Sequence, residues 1–99
     1  MDDARTVLLL GFPARVERED AGGVAYLRID DEGAAGQTRR AHAALEERLA
    51  TQEAFDGDLV PGRRLRVAGL MHDTDRRVLR VKVEVVEPGP ASGPATPLS

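Results

Sequence analysis

Residues 61–88 read PGRRLRVAGLMHDTDRRVLRVKVEVVEP, two valine-rich runs set back to back around HDTD, with arginine or lysine at most of the positions the valines leave free. Apolar and polar residues alternating with period two mark a half-buried strand, so the stretch predicts a β-hairpin. With Leu65, Val67, Gly69 and Met71 on the inner face, Leu79, Val81, Val83 and Val85 become the inner positions of the partner strand. Opposed residues in an antiparallel pair share a face, which requires a loop of odd length, and Asp73-Thr74-Asp75 is the simplest choice. That register sets Val67 opposite Val81, Arg64 opposite Glu84 and Arg66 opposite Lys82. Like charges in direct opposition are unfavourable unless something lies between them. Two readings of the basic face follow: a phosphate-binding surface, or the solvated side of a sheet whose arginines pair with Glu84, Glu87 and neighbouring acids.

Upstream, RTVLLLGFPARVER at 5–18 begins as an apolar strand and then meets Gly11 and Pro13, which predicts one long strand that bends midway. EDAGG supplies a turn, and VAYLRID at 24–30 sets Ala25, Leu27 and Ile29 against Val24, Tyr26 and Arg28, completing a first hairpin. DDEGAAGQ is a loop by its Asp and Gly content. In TRRAHAALEERLATQEAF, Ala41, Leu45 and Leu49 recur at helical spacing, Thr38 is a candidate cap, and Asp56-Gly57 is a stop signal. Residues 37–41 admit either a short third strand or the start of that helix. The closing stretch, 88–99, holds four prolines, two glycines and no charge, and predicts a disordered tail behind one domain at 5–87.

A chain of 99 residues buries only about 60–65% of its unfolded surface, so a single compact core is expected. The longest apolar run, VLLLGF at 7–12, is far shorter than the ~20 residues a bilayer needs, and it lacks the flanks of a signal peptide. The expected location is cytoplasmic, with no membrane partner. With no cysteine, disulfides, thiolate metal sites and cysteine nucleophiles are excluded. The two histidines, His42 and His72, lie thirty positions apart: His42 is placed on the helix surface and His72 in a turn beside Asp73. Asp30, Asp31 and Glu32 are adjacent, so their side chains splay instead of converging on one point. No paired carboxylates at a defined spacing, nucleophile elbow or phosphate-cradling glycine loop is present, and the expectation is a protein without catalytic residues, metal or cofactor. Charge is divided unevenly within the net −3: residues 1–59 carry seven arginines against thirteen acids, and residues 60–87 carry seven basic side chains against four acids. Any phosphate-binding surface is therefore local.

The order hairpin, a third strand if 37–41 form one, helix, second hairpin resembles the small five-stranded Greek-key β-barrel of the oligonucleotide/oligosaccharide-binding (OB) fold, mostly β with one helix before the last hairpin. The likeness lies in DLVPGRRLRVAGLMHDTDRRVLRVKVEVVEP at 58–88 and LGFPARVEREDAGGVAYLRIDD at 10–31, about half the chain. It implies a non-enzymatic module for single-stranded DNA or RNA, or an accessory subunit of a nucleic-acid machine. By position, the resemblance assigns Tyr26 and Arg28 to strand two, Arg39 and Arg40 to strand three, and Arg64, Arg66, Arg80 and Lys82 to the closing hairpin. Tyr26 would stack a base while the cations neutralise phosphate. The rival expectation is a protein-interaction module or homo-oligomer, suggested by the acidic pI of about 5.3, the scarcity of aromatics, and a first strand apolar on both sides, with Leu8, Leu10 and Phe12 facing away from Val7 and Leu9.

Overall fold

The computed structural model describes residues 5–31, 35–57, 59–75 and 77–86. The segment at 88–99 and Glu32 lie outside the described residues. Strands β1 (Thr6–Leu9), β2 (Phe12–Glu19) and β3 (Val24–Asp30) are followed by helix α1 (Gln37–Thr51), a short β4 (Phe55–Asp56), and then β5 (Arg64–His72) and β6 (Val78–Val86). All six strands join one antiparallel sheet in the order β1-β2-β3-β6-β5-β4. The fold is mostly β, a curled sheet shaped as a half-barrel with one helix, and it has six strands in place of the expected five.

The count rises to six because β4 forms although strand three does not, and because the first strand divides at Leu10-Gly11, where the expected bend is a complete reversal. Both residues adopt positive φ, 50° and 88°, and Leu9 pairs with Phe12 across a two-residue loop. Two consecutive left-handed residues give the primed turn whose twist matches the flanking strands. Leucine seldom occupies such a position, but here Leu10 packs against the core. Pro13 pairs only with Leu8 of β1, because β3 begins its pairing with β2 at Arg15, so its missing N–H interrupts no ladder on the β3 side.

The alternation in β3 holds. Ala25, Leu27 and Ile29 are buried, together with Leu65, Val67, Leu79, Val81 and Val83 from β5 and β6. Helix α1 covers this inner face with Ala41 and Leu45, while Leu49 packs partly against it. Residues 37–41 are helical, so no strand three forms there. Thr38 is not the cap; it is fully buried in the first turn, and its N–H donates to the carboxylate of Asp31 at 2.9 Å. That backbone hydrogen bond, aided by the Thr38 hydroxyl, the Gly36 N–H and the Arg39 charge, lowers the Asp31 pKa below its ordinary value despite partial desolvation. The helix ends at Thr51 with Gln52 in the left-handed region at φ 61°, well before Asp56-Gly57, which leaves Phe55 free to pair with Leu65.

The register of the closing hairpin also differs from the expected one. Val67 faces Val83 and Arg66 faces Glu84, and a bulge at Ala68 then sets Gly69 opposite Lys82, Leu70 opposite Val81 and Met71 opposite Arg80. Beyond the bulge the faces exchange: Leu70 turns to the core and Met71 to solvent, 65% exposed. The turn is longer than Asp73-Thr74-Asp75. Asp73 donates its N–H to the Val78 carbonyl at 3.0 Å, and its carboxylate accepts the N–H groups of Arg77 and Val78 at 3.0 and 3.3 Å. Asp73 is thereby occupied in closing the loop. His72 lies at the end of β5 on the inner side, stacked on His42 of α1 with ring centroids 4.8 Å apart, so neither histidine has the isolated setting expected of it.

Candidate functional site

The face of the sheet turned away from α1 carries its polar side chains in rows that cross the strands. Cross-strand pairing aligns Arg15 of β2, Arg28 of β3, Arg80 of β6 and Met71 of β5 in one row. The next row holds Arg18, Tyr26, Lys82 and Gly69 on the same four strands. Strand neighbours lie about 4.8 Å apart and successive same-face residues about 6.7 Å, so these two rows gather five cations and one aromatic ring within a small area.

Three carboxylates temper that charge. Arg28 Nε lies 3.6 Å from Asp30, Arg80 Nε 3.5 Å from Glu17, and Arg18 Nε 3.4 Å from Asp20. All three pairs are long and solvent-exposed to partly exposed, the weak class of ion pair. Among the described residues no carboxylate lies within ion-pair distance of Arg15 or Lys82. Tyr26 is half-buried; the Arg18 guanidinium lies 4.3 Å above its ring centroid and the Lys82 ammonium 5.9 Å from it, so cations flank the ring on both neighbouring strands.

Of the residues expected from the sequence, the structure brings Tyr26, Arg28, Arg80 and Lys82 together. Arg39 and Arg40 sit on α1, behind the sheet from Tyr26, because the segment expected as strand three is helical; Arg40 donates to the Ala35 carbonyl at 3.2 Å. Arg64 and Arg66 share the outer face but lie toward the far end of β5. Arg64 Nε is 3.7 Å from Asp56, and Arg66 donates to Glu84 Oε1 through two nitrogens at 2.9 and 3.3 Å. The expected Arg66–Lys82 opposition is replaced by an Arg66–Glu84 pair, because the register slides. Sequence reasoning missed Arg15 and Arg18. The alternation Ala14 in, Arg15 out was readable, but a bulge between Val16 and Arg18 breaks the period and returns Arg18 to the outer face.

Among the described residues no three His, Cys, Asp or Glu side chains are grouped to hold a metal ion, and no helix is long and apolar enough to cross a membrane. No protein-family model, curated protein or solved structure matches this chain.

Proposed function

We propose that the outer face of the sheet binds single-stranded nucleic acid, DNA or RNA, without catalysing a reaction, as a small accessory module. The observation that carries this reading is the row Arg15–Arg28–Arg80, three guanidinium groups in direct cross-strand opposition. Like charges aligned in this way oppose sheet pairing, and a phosphate lying between them would relieve the repulsion while forming charge-assisted hydrogen bonds. In the next row Lys82, without a carboxylate partner among the described residues, and Tyr26 add a further cation and a base-sized aromatic surface. The chain order of strands, helix and a hairpin whose last strand returns to β3 is in keeping with the resemblance to the OB family. Fluorescence anisotropy of labelled single-stranded DNA and RNA at two salt concentrations tests it. Binding at low salt that weakens steeply as salt rises is expected; no binding, or binding indifferent to salt, rejects phosphate contact.

A second reading, a protein-interaction or self-associating module, draws on two observations. Leu8 on the edge strand β1 is 50% exposed, and β5 runs past β4 from Arg66 to Met71 with no strand partner on that side among the described residues. Light scattering is the check: an oligomer that dissociates on Leu8→Glu favours this alternative, and a monomer at all concentrations rejects it.

A further inference from the structure

Between Tyr26 and the β5 bulge the outer face holds an open groove of about 560 Å³. Its lining is mainly apolar, with Tyr26 and Met71 pointing to this face, and the charged groups of Arg18, Arg80, Lys82 and Glu17 share it. The bulge makes it: Gly69 stands opposite Lys82 with no side chain to fill the space, and Met71 is turned outward beside it. Folding alone does not call for an exposed methionine next to an aromatic ring and two cations. A ligand with a flat apolar body and a compact anion fits both halves of this surface.

We infer that the groove seats one nucleoside monophosphate unit, free or as one residue of a strand, and that Glu17 is the internal carboxylate its phosphate displaces from Arg80. The inference rests on the nucleic-acid reading above and specifies it. The base lies against Tyr26 and Met71, covering apolar surface that water now wets. The phosphate reaches Arg80 and Lys82, where it replaces the 3.5 Å Glu17 contact with shorter, doubly charged hydrogen bonds. Until a ligand arrives, Glu17 neutralises Arg80 and so competes with the phosphate for it.

Calorimetric titration with uridine monophosphate, uridine, inorganic phosphate and a triuridylate separates these contributions, and Tyr26 ring-proton shifts locate the base without ambiguity because the chain has a single tyrosine. The expected result is binding of the monophosphate with an upfield shift of the Tyr26 signals, and at least ~10-fold weaker binding of uridine or phosphate alone. Triuridylate binding as tightly as the monophosphate would mark a free nucleotide as sufficient, and tighter binding would mark a strand as the ligand; either agrees with the inference. Gly69→Val puts a side chain into the groove, and its Cβ would meet Lys82 Cβ at an ordinary 3.8 Å. It should abolish monophosphate binding with the melting transition retained, and Glu17→Gln should strengthen binding severalfold. If long oligonucleotides bind while the monophosphate does not, or if Gly69→Val or Glu17→Gln leaves monophosphate affinity unchanged, the nucleotide seat is overturned and the phosphate-binding face stands. If neither oligonucleotide nor monophosphate binds, both readings fall.

Discussion

Arg28 of β3 and Arg80 of β6 stand directly opposite each other, each drawn toward a different carboxylate, Asp30 and Glu17. Two cations in direct cross-strand opposition detract from pairing by ~0.2–1 kcal/mol, and the exposed Arg80–Glu17 contact returns no more than that. Arg80→Thr, which installs a good strand former, should therefore leave the free energy of unfolding in urea within ~0.5 kcal/mol of the parent. The same variant should reduce the slope of log affinity against log salt by ~0.7–0.9, the loss of one phosphate contact. A destabilisation of more than ~1.5 kcal/mol would mean that this arginine serves the fold.

Lys82 and Arg66 occupy the same face but differ in what they already touch. Arg66 is held by Glu84 at 2.9 Å, whereas Lys82 has no carboxylate within reach among the described residues. Lys82→Ala should weaken oligonucleotide binding at low salt by ~5-fold or more, and Arg66→Ala by less than ~2-fold. Arg66→Ala should instead cost ~0.2–1 kcal/mol of stability, because it breaks a half-exposed ion pair. Anisotropy and denaturant melts on the two variants decide the matter, and equal losses of affinity would refute the assignment.

Asp31 caps α1 from outside the helix, and accepting the Thr38 N–H lowers its pKa in the folded state. A folded-state pKa below the unfolded one contributes stability that is present above the ordinary Asp value and is lost as pH falls through the lower, folded value. The window lies below about pH 4. Asp31→Ala should lower the melting temperature near neutrality and flatten the acid limb of the melting temperature against pH. An unchanged acid limb would exclude Asp31 as its source.

Gly57 lies where a Cβ would come 2.5 Å from Leu65 Cδ1 and 3.1 Å from Cγ, and Leu65 is fully buried. Gly57→Ala should cost ~1–3 kcal/mol by overpacking. Gly22→Ala, where nothing lies within 4 Å and φ is not positive, should change stability by no more than ~0.5 kcal/mol. Chemical denaturation of the two, side by side, separates steric conflict from a general loss of glycine freedom.

Periodicity made part of this architecture legible. The alternation of Ala25, Leu27 and Ile29 and the helical spacing of Ala41, Leu45 and Leu49 each pointed to the face that the structure buries. What escaped were the interruptions of period. Leucine is not a signal for positive φ, so Leu10-Gly11 read as a bend instead of a reversal. Ala68 and Glu17 carry no mark of a bulge, and each shifts every later residue on its strand by one position, which hid Met71 on the outer face and Arg18 beside Tyr26. The helix cap was missed for a different reason: its acceptor, Asp31, lies seven positions before the N–H it receives, and no local pattern links the two. For the binding face, the strand content was readable from valine and arginine, while the row Arg15–Arg28–Arg80 depends on pairing between strands far apart in the chain.

The bulge at Ala68 separates the number of residues in β5 from the way its later side chains point. Losing that single codon would leave Val67, Gly69, Leu70 and Met71 in plain alternation on the faces they already occupy, whereas a ladder that took Ala68 in as a regular position would swing Met71 into the interior and push Leu70 out. Chains descended from a common ancestor would therefore keep this outer wall through a one-codon shortening here, and would lose it through a compensating insertion in β6 that straightened the ladder.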